Sequence, residues 1–291
     1  MIYIGIILSF LSAFFKSGKS ITTKISANST DEYVTSLFIR FGTFILALLF
    51  VLFYSQKIPL NINLYIYALI NGILISLSSI FITKGFKLTD VSIAAPLLSF
   101  VPISSMIPAI IILNQTPTII SGIGVFLVTL GAYFINIHTI SLNILEPIKS
   151  IYDDKGSQYV MIGVLFAGCI PTIDKIGISY TTEYIWLVLT GCVSIILLLI
   201  ITKIKSKNIQ NSINENKLIL FFVGLFNAGI YILQIKAYNY IDVYYVQAIK
   251  RVSILITIGF SYFYFNEKHL KQRVIASIIM ILGVLLIVIG L

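Results

Sequence analysis

The sequence predicts an all-α integral membrane protein, with ten transmembrane helices arranged as two inverted five-helix repeats. Three observations lead there. Of the 291 residues, 58% are hydrophobic and only 11% charged, where soluble globular chains carry about 25% charge. Mean hydropathy is +1.01 over the whole length, so lipid rather than one buried core is the solvent for most of the chain. Similar segments also recur: KGFKLTDV begins at Lys84 and KAYNYIDV at Lys236, an offset of 236 − 84 = 152. The apolar runs are too long for strands and do not alternate with polar residues, which favours helices over a barrel.

A span needs about 20 apolar residues, and the breaks fall at polar, Pro and Gly clusters. The first expected span is 2–25. Nothing basic precedes it and like stretches recur to the last residue, so it reads as a span and not as a signal peptide. The second and third are 34–55 and 63–83. The fourth, 91–113, carries Pro96, Pro102 and Pro108. Each proline removes a helix hydrogen bond and kinks the helix, which membranes tolerate where neighbours or cavity water satisfy the freed carbonyls. These three are the candidate hinges. The polar turn NQTPT leads into the fifth span, 118–137. A long connection follows, with room for a short surface helix. The second set is 158–179, 184–203, 217–238, 242–265 and 272–291. Its longest connection, KIKSKNIQNSINENK, is basic and Asn-rich, and is expected to be a solvated loop.

The repeat is visible beyond the two quoted octets. At the same offset Gly72 meets Gly224, Asp90 meets Asp242, Asn114 meets Asn266 and Gly131 meets Gly283. Earlier, at an offset of 175 − 24 = 151, Lys24, Thr30, Glu32 and Tyr33 meet Lys175, Thr181, Glu183 and Tyr184. The first repeat is therefore 1–137, the connection 138–157 and the second repeat 158–291. An odd number of spans per copy forces opposite orientations, the inverted-repeat plan of many secondary transporters, which bind substrate near the midplane between the halves.

The ends of the two copies carry a family resemblance. The first reads PISSMIPAIIILNQTPTIISGIGVFLVTLGAYFI and the second ILITIGFSYFYFNEKHLKQRVIASIIMILGVLLIVIGL. They resemble the EamA family of the drug/metabolite transporter superfamily, in which each half ends in a proline-bearing helix, a short Gly-Glu-Arg-like turn and a glycine-bearing helix. Asn266-Glu267-Lys268 fits that turn; Asn114-Gln115 replaces the acid, and Ile254 stands where the second proline would be. Arg40 resembles the arginine early in the family's second helix. The resemblance implies ten helices, a basket-like transporter of a small polar metabolite, and both termini on the cytoplasmic side. The expectation is an exporter or exchanger in the cell membrane. Charge bias points the other way: Lys203, Lys205, Lys207, Lys217, Lys268, Lys271 and Arg273 flank loops on one face, which the positive-inside rule would make cytoplasmic.

Embedded charges mark the candidate site. Ser9, Ser12, Lys16, Lys19 and Thr23 step by 3 and 4, forming one polar stripe on the first helix. Two mid-span lysines cost roughly 5–7 kcal/mol on insertion scales unless they face water or partners. Lys16 lies about 12 Å from the nearer end of its span, far for snorkelling. The SGKS fragment is no phosphate loop, because Ala13 stands where the first glycine is required. Asn227, Tyr231, Gln234 and Tyr238 share a face of the eighth span, and Gln247 and Lys250 share one in the ninth, with Arg251 adjacent. The substrate-binding candidates are Lys16, Lys19, Arg40, Tyr231, Gln234, Gln247, Lys250 and Arg251. Asn71, Ser78 and Ser79 read as helix–helix glue. Asp174 beside Lys175 is either a proton or ion coupler or a salt bridge with a neighbouring lysine.

Cations outnumber acids in the spans, which favours an anionic or amino-acid-like substrate. The formal charge of +9 is divided between loops and embedded cations, so it does not point to nucleic acid. The expected partners are a small-molecule substrate, the lipid bilayer and a coupling ion, H+ or Na+. A lipid flippase or scramblase on the same fold, with a groove lined by basic residues, is the alternative. An embedded enzyme lacks a constellation: His138 and His269 are far apart with no metal or nucleophile spacing. Cys169 and Cys192 have no ligand-spaced partner. No cofactor or metal is expected.

Overall fold

The structure, a computed structural model, describes all residues except 27–29, 90, 137–144, 207–208, 258 and 260–269. His138, His269 and the Asn266-Glu267-Lys268 turn lie outside the described residues, as does the side chain of Lys24. Helices follow the apolar runs. Helices α1 (Ile2–Ser26), α2 (Glu32–Phe53) and α3 (Ile62–Leu88) occupy the first three expected spans. The fourth is broken into α4 (Val91–Leu97), a 3-10 turn (Leu98–Phe100) and α5 (Val101–Leu113). It ends at Asn114, whose positive φ of 55° is one that Asn tolerates better than most residues. Then come α6 (Ile119–Asn136), the short α7 (Glu146–Asp153), α8 (Lys155–Tyr180) and α9 (Glu183–Lys205). The chain continues through α10 (Ile209–Glu215), α11 (Lys217–Ala237), α12 (Val243–Ile249), a second 3-10 turn (Lys250–Val252), helical residues 253–257, and α13 (Leu270–Gly290).

Side-chain caps start several of these helices. Asp31 Oδ1 accepts from the Tyr33 N–H at 2.8 Å and Asn61 Oδ1 from the Asn63 N–H at 3.0 Å. Asp154 Oδ2 accepts from the Ser157 N–H at 2.7 Å and Thr182 Oγ1 from the Ile185 N–H at 3.4 Å. Such caps satisfy donors that the first turn leaves unpaired. Helix α7 is the surface helix that the long connection had room for. Helix α10 departs from the solvated loop expected of the basic connection. Ser212 is buried, its carbonyl accepts from Asn216 Nδ2, and the short helix rests on α2 and α11. Docking, not composition, makes it helical.

Among the described residues, seven helices are long and apolar enough to cross a membrane, the bent 93–113 segment included, and two shorter apolar helices are Ile119–Ile135 and Ile275–Gly290. The expected span 242–265 lies partly outside the described residues. Large apolar side chains such as Leu49, Leu52, Ile111, Phe126, Ile196 and Phe221 are exposed on the outer surface. A belt of this size belongs in lipid. The protein is an integral, multi-pass membrane protein.

The two halves interlock. Helix α1 packs on α11, α3 on α8, α2 on α9, α5 on α12 and α6 on α13. The first helix of each half thus packs on the third of the other, while second, fourth and fifth helices pack on their counterparts. Glycines set the closest crossings. A Cβ on Gly42 would lie 2.5 Å from the Gly224 backbone, and one on Gly124 2.7 Å from the Gly283 carbonyl. Small residues let backbones approach where no hydrophobic force separates helix from lipid. The helix breaks also repeat: 250 − 98 = 152 and 252 − 100 = 152, the offset of the sequence repeat.

Candidate functional site

A cavity of ≈ 260 Å³ lies between the halves. Lys19 enters it from α1, Ser36 and Arg40 from α2, and Ser78, Ser79 and Thr83 from α3. Tyr231 and Gln234 come from α11, Gln247 from α12, and Lys250 from the second 3-10 turn. Apolar wall is supplied by Ile39, Ile75, Ile82, Val101, Ile170 and Pro171. Three cations line the cavity, and no described lining residue is a carboxylate.

Neutral groups hold each cation in place. Lys19 Nζ donates to Asn227 Oδ1 at 2.9 Å, and Asn227 Nδ2 donates to Thr43 Oγ1 at 2.8 Å and to the Ile39 carbonyl at 3.1 Å. Arg40 Nη2 donates to the Tyr231 hydroxyl at 3.0 Å, with the guanidinium 4.7 Å from that ring's centroid. Lys250 Nζ donates to Gln234 Oε1 and, at 3.4 Å, to Gln247 Oε1. Both glutamine amides donate in turn to the Tyr238 hydroxyl, at 2.6 and 2.7 Å. Neutral partners orient the ammonium and guanidinium groups without neutralising them. Their charge therefore projects into a site of low dielectric, where it acts far more strongly than in water.

The remaining sequence candidates lie around this cavity. Lys16 sits one turn before Lys19, half-buried, in electrostatic range of Arg251, Lys250 and Lys19, and is not a lining residue. Arg251 points elsewhere. Its Nη2 donates at 2.7 Å to the Leu98 carbonyl, which Pro102 cannot serve because it has no N–H and which the Val101 N–H serves instead in the 3-10 turn. It ties the second helix break to the first. Pro96 lies just before the first break, Pro102 just after it, and Pro108 inside α5. The second break forms with Ile254 at the position matching Pro102, so a proline is not its cause.

Asp174 borders a narrower cleft of ≈ 10 Å³, which shares Arg40, Ile75 and Tyr231 with the main cavity. It is 2% exposed, and its Oδ1 accepts from Asn71 Nδ2 at 2.7 Å and from Trp186 Nε1 at 2.8 Å. Lys175 lines neither space; Asp242 is the charge that acts on it. Sequence reasoning passed over Ser36 and Thr83 and did not place Asn227 or Tyr238 behind the cavity wall. Ser36 stands one turn from Arg40, a signal that was available.

The sequence matches the EamA-like transporter family twice, over residues 3–137 and 154–289. The chain belongs to the EamA-like transporter family. The two matches cover both repeats of this EamA protein, in keeping with the drug/metabolite transporter superfamily. A solved crystal structure of a protein 9% identical superposes with a TM-score of 0.79, covering 98% of each chain. At that identity the likeness is one of fold. No curated protein matches the sequence. The family is one of transporters, and membership suggests a transporter of the drug/metabolite type.

Proposed function

We propose that the protein is a secondary transporter of a small organic anion or amino-acid-like metabolite, working by alternating access between two inverted halves. The observation that carries this is the cavity wall: Lys19, Arg40 and Lys250 with no carboxylate among its described residues. An organic cation would meet repulsion there, while a carboxylate or phosphate would gain charge-assisted hydrogen bonds. Gln234, Gln247, Tyr231 and the serines supply donors and acceptors for the rest of the molecule. At ≈ 260 Å³ the cavity falls just below the usual range of ligand sites, which starts at about 300 Å³, so it suits a small molecule.

The exchange of partners between first and third helices is what a two-fold axis relating the halves would produce. With five spans per half, ten in all, that axis lies in the membrane plane. The cavity is built from both halves, so tilting one against the other would expose it to alternate sides. The gradient of an ion or of a second substrate drives the cycle. Lys16 adds to the positive potential behind Lys19, and Asp174 is the candidate coupling group.

Counterflow in proteoliposomes tests this. Vesicles are loaded with a mixed pool of amino acids, carboxylates, phosphosugars and nucleotides, and wild type is compared with Lys19→Ala, Lys250→Ala and Lys16→Ala. Anion-selective exchange, abolished by the first two changes in protein that remains folded, is expected. Exchange of a neutral or cationic solute that ignores all three lysines would sink the proposal. Movement of labelled lipid alone would assign the basic residues to headgroups instead.

A further inference from the structure

We propose that Asp174 and Asn71 form a proton site: a proton on Asp174 Oδ2, shared with Asn71 Oδ1, closes a carboxylic acid–amide pair beside the transport cavity. The proposal rests on the transport reading for its purpose, but not for its chemistry. Asn71 on α3 is fully buried and Asp174 on α8 is 2% exposed. One side of the pair is made: Asn71 Nδ2 donates to Asp174 Oδ1. On the other side, Asp174 Oδ2 and Asn71 Oδ1 are both buried without a hydrogen-bond partner. Both atoms are acceptors when the carboxyl is ionised, so neither can satisfy the other. A single proton on Oδ2 supplies the donor that both lack.

The charges around the pair explain why the proton can leave. From α2, Arg40 faces Asp174 across the narrow cleft, joined by Tyr231 of α11. Lys250, from the second 3-10 turn, also acts on it, and Tyr238, which caps the end of α11, lies in its field. Trp186 of α9 donates to Oδ1. On its own helix, Lys175 lies in the field of Asp242. The two facing acceptors, Asp174 Oδ2 and Asn71 Oδ1, favour the acid, whereas the Asn71 and Trp186 N–H donors and the charges of Arg40 and Lys250 favour the carboxylate. When it leaves, the O–H bond of Oδ2 breaks, the electron pair stays on the carboxylate and the proton passes to water in the cleft. An anion bound in the main cavity would engage Arg40 and Lys250 and weaken their hold on the carboxylate. Anion and proton therefore bind together, and by linkage each strengthens the other.

Infrared difference spectroscopy of the purified protein in lipid bilayers tests the pair with no substrate present. A carboxylic-acid C=O band at neutral pH is expected, lost on raising the pH and absent in Asp174→Asn. Isotopic labelling of aspartate carboxyls must shift the band in the wild type, so the assignment does not depend on how the variant folds. Asn71→Leu must move the band towards the frequency of a free acid. No acid band at neutral pH, or one that survives Asp174→Asn, overturns the proposal. Thermal stabilisation by sodium over choline, lost in Asp174→Asn and with no acid band, also overturns it and assigns the pair to sodium. Because no transported solute is used, failure of the anion reading in counterflow would leave this result standing.

Discussion

Gly42→Ala should loosen the protein and displace Lys19. The added Cβ would sit 2.5 Å from the Gly224 carbonyl carbon and Cα, and 2.6 Å from its oxygen. Carbon atoms in contact prefer about 3.5–4.0 Å, so the shortfall is about 1 Å. The obstacle is backbone, which cannot swing aside, so α2 and α11 must separate. Asn227 stands one turn from Gly224 and bridges to α2 through Thr43 at 2.8 Å and Ile39 at 3.1 Å. A 1 Å separation carries both bonds beyond the range of about 2.7–3.2 Å. Overpacking costs about 1–3 kcal/mol and two membrane hydrogen bonds roughly 1 kcal/mol together. A loss near 2–4 kcal/mol follows from those terms. The assay is equilibrium unfolding in mixed micelles, with Gly122→Ala as the control. A Cβ there meets only Pro117 side-chain atoms at 3.8 and 3.9 Å, and stability should stay within about 1 kcal/mol of wild type. If Gly42→Ala proved as stable as Gly122→Ala, the inferred closeness of α2 and α11 would be wrong.

Other substitutions separate the roles of the cations. Lys250→Met should cut affinity for a transported anion by roughly 10–100-fold, the value of a charge-assisted hydrogen bond, with Lys250→Arg recovering part of it; binding titrations on the anion found by counterflow would show this. Arg251→Met should cost about 1–3 kcal/mol of stability by removing a charged hydrogen bond from the Leu98 carbonyl, which keeps only the Val101 N–H, while the choice among anions stays as in wild type; unfolding and competition assays read the two effects. At the start of α8, burial would raise the Asp154 carboxyl, but hydrogen bonds from Ser157, Thr89 and Gly156 outweigh it and hold the group below its usual range. A depressed carboxylate stabilises above its unfolded value, near pH 3.9, and that contribution is lost as pH falls through the folded value. Asp154→Ala should therefore cost about 1 kcal/mol at neutral pH and nothing in strong acid, which unfolding at the two pH extremes would check.

Hydropathy and the 152-residue offset made most of the fold legible, because lipid forces long apolar helices and duplication repeats their punctuation. The offset found in KGFKLTDV and KAYNYIDV also separates the two 3-10 turns. Periodicity showed which faces look inward but not which turn of a face reaches the cavity. Tyr231 and Gln234 line it, whereas Asn227 and Tyr238 on the same face stand behind, gripping Lys19 and the two glutamines. Lys250 and Arg251 are neighbours in sequence, and a 3-10 turn splays neighbours by about 120°. One enters the cavity and the other caps Leu98. That divergence depends on where two broken helices cross, which no local pattern encodes. The Asp174–Asn71 contact likewise joins residues 103 apart, and Asn71 taken alone reads as ordinary helix–helix glue.

The interlocking of the halves bears on how the chain is made. Lys19 waits for Asn227, 208 residues later, and Arg40 for Tyr231, 191 residues later. At about 5–20 residues per second of synthesis, those partners emerge roughly 10–40 s after the cations have entered the membrane. During that interval the first half carries charges in lipid with nothing to hold them, and its own helices lack the surfaces they finally pack on. Neither half is a folding unit. The nascent first half must be shielded by the insertion machinery until the second arrives, and a truncated product carrying only the first half is a natural substrate for membrane proteolysis.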